Sequence, residues 1–182
     1  MELLKKIESV LDPIDSSIEN RRMLRLAAVL IPIFKDSLNV LFIKRTMNTS
    51  QHQGQVAFPG GRFDEEDGTL LVTALRETKE EVSISADNIE VIGRLTPTIT
   101  SSRHYVYPFV GLIDESVEIK PNPSEVADFF LAEFSEIMKP DNFQKGFFRE
   151  SGIRSYYKIG DYKVWGVTAG ILSDLLKRIR EE

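Results

Sequence analysis

Glu77, Glu80 and Glu81 stand within one five-residue stretch, directly after Arg76. Carboxylates at that density can hold a hard divalent cation through oxygen, and a cation so held can neutralise phosphate. The wider segment, residues 60–81, carries seven acids and three bases, a local balance of −4 against −5 for the whole chain. On a helix each residue turns by about 100°, so relative to Glu77 the side chain of Glu81 falls near roughly +40° and that of Glu80 near roughly −60°. All three therefore project from one side. Leu71, Ala74, Leu75, Thr78 and Val82 recur at helical spacing and predict a buried face next to the acids. The like-charge pairs Glu77–Glu80 and Glu77–Glu81 each cost roughly 0.2–0.5 kcal/mol in an isolated helix. Arg76, four residues before Glu80, offsets part of this, and a divalent cation would offset more. A Glu-rich helix face by itself is more often merely solvated. Context separates this one: the helix follows Pro59-Gly60-Gly61 at the end of a strand, where glycines let backbone approach a ligand closely and free a carbonyl for a metal.

The composition narrows the chemistry further. The chain has 182 residues, which suits a single domain. It has no cysteine, so disulfides, zinc–thiolate sites and thiol nucleophiles are excluded. Two histidines, His52 and His104, leave little scope for a multi-histidine metal site, so any metal is expected to be Mg²⁺ or Mn²⁺ held by oxygen. The net charge of −5 argues against nucleic acid as partner but not against a small phosphorylated molecule. Charges interrupt the apolar N-terminal run, which does not read as a signal peptide, and no stretch approaches ~18 apolar residues. The expectation is a cytoplasmic protein with no membrane partner.

The elements that must position these residues are read from periodicity. Residues 2–20 predict an amphipathic helix broken at Pro13. Residues 27–34 and 40–45 predict a β-hairpin, and residues 55–58 a short strand. Residues 69–82 predict the acidic helix. Strands are expected at residues 90–96, 106–113 and 126–132, with a short helix at 135–138. A second hairpin is expected around Gly160-Asp161, and a closing helix over residues 168–179. This order predicts an α+β fold, an α/β/α sandwich with a mixed sheet between helices.

The segment GGRFDEEDGTLLVTALRETKEEVSI resembles the Nudix box, G-x5-E-x7-R-E-U-x-E-E-x-G-U with U aliphatic. Its second half matches over residues 76–84. Three positions depart from the pattern. The distance from Gly61 to Arg76 is one residue longer, Thr78 replaces an aliphatic residue, and Ser83 replaces the last glycine. A serine past a helix end loses roughly 1 kcal/mol relative to glycine if it turns left-handed. The longer spacing resembles the coenzyme A pyrophosphatase branch, whose box follows a run like K-R-S…H-x-G-Q-V-A-F-P-G-G-x-x-D-x-x-D. Here Lys44-Arg45-Thr46 is followed by residues 52–61 and then by Asp64 and Asp67. Residues 107–111, 122–126 and 164–169 also look like this branch, so the resemblance runs over about residues 25–178.

The resemblance implies a Nudix fold in one domain over residues 1–182. That domain would hold an N-terminal helical extension (1–24), the box (60–84) and a C-terminal helix (167–180). It implies metal-dependent hydrolysis of the diphosphate of coenzyme A or a derivative, giving 3′,5′-ADP and 4′-phosphopantetheine. Glu77 and Glu81 are then expected as principal ligands of Mg²⁺ or Mn²⁺, Glu80 as a third and the Gly60 carbonyl as a further one. Arg76 is expected to orient the glutamates. The general base is left open between a box glutamate, Glu77 or Glu80, and the later Glu125, which could instead simply start a strand. Lys44, Arg45, His52, Gln55, Gly61 and Arg62 are candidates for substrate contact, while His104 is expected in an exposed loop. Two other readings stand beside this one. The first is a Nudix pyrophosphatase for NADH, ADP-ribose or a nucleoside triphosphate. The second is a non-catalytic nucleotide-binding regulator, against which the intact glutamates speak. A homodimer is compatible with the sequence but no residue requires it.

Overall fold

The computed structural model describes residues 2–14, 24–47, 54–148 and 152–182. Strand β1 (Arg25–Phe34) is the pivot of the main sheet. One of its edges pairs in parallel with β7 (His104–Ile113) over ten residues, from Arg25 opposite His104 to Phe34 opposite Ile113. The other edge is shared. β4 (Gly60–Arg62) runs antiparallel beside residues 27–29, and β2 (Asn39–Arg45) pairs antiparallel at Ile33. β3 (Val56–Ala57) and β8 (Val126–Glu133) flank β2, while β5 (Ile89–Arg94) and β6 (Thr98–Ile99) flank β7. One parallel pairing among antiparallel ones makes the sheet mixed, as expected.

Both faces of this sheet are covered, which is why β1 and β7 read as continuous apolar runs rather than alternating ones. Helix α2 (Leu70–Val82) covers one face. Its Leu70 and Ala74 join Ala28, Leu30, Tyr105, Tyr107 and Phe109, and its Val82 joins Leu41, Ile43 and Ile113. Helix α4 (Gly166–Glu181) covers the other, packing Ile171, Leu172, Leu175, Leu176 and Ile179 against Ile31, Ile33, Val106, Val110 and Leu112. A short helix α3 (Phe134–Ile137) follows β8. Helix α1 (Glu2–Ser9) buries Ile7 in the α4-side core. The result is the expected α+β sandwich.

Three expectations change. The N-terminal helix stops at Ser9 rather than reaching residue 20. Asp12 is extended instead, bridging the edge strand through Asp12 N–H to Arg94 O at 2.9 Å and Arg94 N–H to Asp12 O at 3.0 Å. Pro13 favours this, because the residue before a proline is pushed out of helical geometry. Residues 15–20 of that predicted helix lie outside the described residues. A strand missing from the sequence reading, β9 (Phe143–Phe148), forms a three-stranded sheet with β10 (Gly152–Ile159) and β11 (Tyr162–Trp165). Its Phe143 and Phe147 face outward, so it lacks the buried alternate face on which strand prediction rests. His104 opens β7 and is buried, not exposed, with Nδ1 3.0 Å from Ser102 Oγ.

Candidate active site

A chain of caps leads into α2. Asp64 accepts the Glu66 N–H at 3.0 Å, and the Asp67 carboxylate reaches back to the Asp64 N–H at 3.4 Å. Thr69 then caps α2 by accepting the Val72 N–H at 3.2 Å. Asp67 also turns inward. It accepts from Thr73 Oγ1 at 2.7 Å and from the guanidinium of Arg76 twice, Nε at 2.8 Å and Nη2 at 3.1 Å. The remaining nitrogen of Arg76, Nη1, donates to Glu77 Oε1 and Glu80 Oε2, both at 2.9 Å. One arginine thus joins three carboxylates. It pulls the Asp67 pKa below the ordinary carboxylate value, and Asp67 and Glu77 in turn raise its own.

The helix is turned differently from expectation. Leu71 and Leu75 are only partly buried, whereas Leu70, Thr73, Ala74, Thr78, Val82 and Glu81 itself are buried. Two glycines of β4 make room here, Gly60 for the backbone of β1 and Gly61 for an acid of α2. A Cβ on Gly60 would lie 2.4 Å from the Ala28 carbonyl oxygen, and one on Gly61 would lie 2.3 Å from Cδ of Glu77. The Glu77 carboxylate therefore occupies the place where a side chain at position 61 would stand. A side chain at position 61 would displace that carboxylate, the far end of a flexible side chain, so the glycine bears on where the acid stands.

Glu81 is fully buried, yet both of its oxygens are satisfied. Oε1 accepts from Arg45 Nη1 at 2.8 Å and Oε2 from the Gly60 amide at 2.9 Å. Gly60 was expected to contribute its carbonyl; the contribution shown is its N–H. Burial pushes the Glu81 pKa up to about 7, outweighing the pull of Arg45 and the Gly60 amide, with Glu77 and Glu125 adding repulsion. Burial also raises the pKa of Glu77, against the opposing pull of Arg76.

Glu125 enters from a different element, the turn before β8. One carboxylate oxygen from each of Glu77, Glu81 and Glu125 lies within 4.8 Å of the others. Glu80 is outside this cluster, 48% exposed and paired with Arg76. The other sequence candidates scatter. Arg45 points into the acids, while Lys44 is half-buried where β2 meets β3, opposite Val56. Gln55 is engaged through its carbonyl, which accepts the Arg45 N–H at 3.0 Å. Arg62 is exposed and lends its carbonyl to Arg76 Nη2 at 3.3 Å. His52 lies outside the described residues. Sequence reasoning assigned no role to Asp67, Thr73 or Asn122. The Asp64-x-x-Asp67 spacing was a readable capping signal, but the inward fork to Arg76 crosses nine residues and leaves no local trace.

Three oxygen donors from two elements, drawn together against their own repulsion, suit a hard divalent cation. Comparison with known proteins agrees. The model of the NUDIX domain matches residues 23–150. The chain belongs to the NUDIX family. The Nudix hydrolase NudL of Yersinia pestis is 36% identical over 167 residues, covering 90% of this chain and 82% of the relative, and NudL of Yersinia pseudotuberculosis matches equally. Among solved structures, an Ap4A hydrolase of C. elegans superposes with a TM-score of 0.58 at 18% identity, covering 85% of this chain and 96% of that one. The NUDIX domain of Shewanella oneidensis NrtR, complexed with ADP ribose, superposes with a TM-score of 0.53 at 17% identity and covers 87% of each chain. These two share the Nudix fold. The chain is a Nudix hydrolase, an enzyme of the pyrophosphohydrolase type. No helix among the described residues is long and apolar enough to cross a membrane.

Proposed function

We propose that this Nudix hydrolase cleaves the diphosphate of coenzyme A or a derivative, using Mg²⁺ or Mn²⁺, to give 3′,5′-ADP and 4′-phosphopantetheine. The observation that carries the chemistry is the convergence of Glu77, Glu81 and Glu125 within 4.8 Å. The coenzyme A assignment rests on the resemblance of Lys44-Arg45-Thr46 and residues 52–61 to that branch.

In this reading Glu77 and Glu81 hold the cation and Glu80 extends the donor set toward solvent. Such an ion supplies charge neutralisation for the diphosphate and makes water more acidic. The protein supplies the rest. Arg76 fixes the rotamers of Glu77 and Glu80 from one nitrogen while Asp67 holds its other edge. Arg45 balances the buried charge of Glu81. Among the described residues no side-chain hydrogen bond engages the Glu125 carboxylate, and we assign it the proton released when water attacks phosphorus. Water adds across the P–O–P bridge, the bridging oxygen leaves with one phosphate, and the proton passes to Glu125.

The test is a panel of coenzyme A, NADH, ADP-ribose and dATP with Mg²⁺ or Mn²⁺, read by product identity. Release of 3′,5′-ADP is expected. Turnover of another member alone removes the coenzyme A assignment, and binding of ADP-ribose without any turnover favours the regulator reading. Glu81→Gln is expected to lose about 100-fold or more in kcat, exceeding what loss of an outer-shell partner costs. Full activity in that variant removes the ligand assignment.

A further inference from the structure

Ser83 stands where the box pattern has glycine, and the structure shows why a hydroxyl belongs there. The residue caps α2 in the left-handed region, at φ 62° and ψ 20°, with its N–H donating to Lys79 O. Glycine takes that conformation freely, so serine is the costlier choice for the backbone alone. Its Oγ, however, donates to the carbonyl of Lys120 at 2.9 Å. Two backbone bonds lie beside it. Lys120 N–H donates to Val82 O at 3.0 Å, and Asn122 N–H to Glu81 O at 2.9 Å. The segment 120–122 is thus laid against the last turn of α2, meeting carbonyls that a helix end leaves unpaired.

This segment leads straight to Glu125. Asn122 Oδ1 accepts Ser124 N–H at 3.1 Å and Ser124 Oγ at 2.7 Å, and the Asn122 carbonyl accepts Glu125 N–H at 3.0 Å and Val126 N–H at 2.8 Å. Thr46 N–H secures the far side by donating to the Glu125 carbonyl at 2.9 Å. The Glu125 turn therefore hangs between β2 and the end of the helix that carries Glu77 and Glu81.

We propose that Ser83 is a positioning residue: its hydroxyl tethers the 120–125 segment to α2 and so sets where the Glu125 carboxylate stands over Glu77 and Glu81. The proposal rests on the role given to Glu125 above, and its test separates the two. Ser83→Gly removes the hydroxyl while easing the backbone, so the fold is not weakened. It is expected to keep or raise Tm and to leave KM unchanged. Its kcat should fall roughly five- to tenfold, the scale of one lost hydrogen bond. Amide hydrogen exchange across residues 120–126 should quicken. Ser83→Ala should lose the same kcat with a lower Tm. Ser83→Asn should recover activity, since asparagine tolerates the left-handed region and carries a donor. Wild-type exchange in Ser83→Gly overturns the tether, and faster exchange with wild-type kcat overturns the positioning role. If the wild-type protein cleaves no diphosphate, the functional reading fails, and the exchange rates still decide the tether.

Discussion

Arg76 is the residue on which the acids depend, and Asp67 is what holds Arg76. Asp67 is 5% exposed and meets the guanidinium with both oxygens. Asp67→Asn should therefore cost about 1.5–3 kcal/mol, the range for a hydrogen bond to a charged group. It should lower kcat more than it changes KM, because the rotamers of Glu77 and Glu80 lose their reference point. The sign with pH follows from the depressed Asp67 pKa. Its stabilisation is complete above the ordinary carboxylate value and is lost as pH falls through the lower folded value. Denaturant melts of the wild type should weaken over that acid range, and melts of Asp67→Asn should not show this contribution. At this scale the sequence was partly legible. Glu77, Glu80 and Glu81 were assigned to one helix side from spacing alone, with Arg76 four residues before Glu80. The burial of Glu81 was not foreseen, because acids are taken to face water unless a partner is visible. Its partners, Arg45 and the Gly60 amide, come from strands distant in sequence.

Elements are joined by a second arginine, far from the acids. Arg178 on α4 donates to the Val10 carbonyl at 2.9 Å, to Asp12 Oδ2 at 3.2 Å and to Thr96 Oγ1 at 2.6 Å, and pairs with Asp174 at 3.2 Å. It clasps the N-terminal segment to α4 and to the residues after β5. Arg178→Ala is expected to lower stability by about 1–3 kcal/mol while kcat stays at the wild-type value. A loss of kcat at unchanged Tm would contradict a purely architectural role. The strongly periodic elements, α2 and α4, were readable to within a few residues. The N-terminal helix was overextended because periodicity cannot register that Asp12 is claimed by the edge of β5. Strand β9 was missed because its exposed phenylalanines do not alternate with a buried set.

Across the whole molecule, the cost of the site is electrostatic. In the metal-free protein, Glu81 holds its proton up to about pH 7, against an ordinary value of 4.5. The folded state is therefore favoured fully below about 4.5, and this advantage is lost as pH rises through about 7, an effect of roughly 3 kcal/mol. Melting in EDTA across pH 4.5–8 should show that decline, and saturating Mg²⁺ should flatten it by binding the folded state. Glu81→Gln in EDTA should lack the decline; its persistence there would assign it to another group. The sandwich architecture itself was legible, because helices and apolar strands alternate in an order that few topologies satisfy. The shared edge of β1, divided between β4 and β2, was not. It depends on which strands leave the sheet early, and a hydrophobic pattern does not record that.

The carboxylate of Glu77 resting in the empty side-chain position of Gly61 has a consequence for how this sequence can drift. The two sites lie sixteen residues apart but share one volume, so a change at 61 reaches the acid at 77. Even alanine at 61 would push the acid aside, and because the atoms it meets are the far end of a flexible side chain, the carboxylate would move while the backbone stayed. A substitution at 61 would thus be felt first in the position of an acid on another element, before it was felt in the fold.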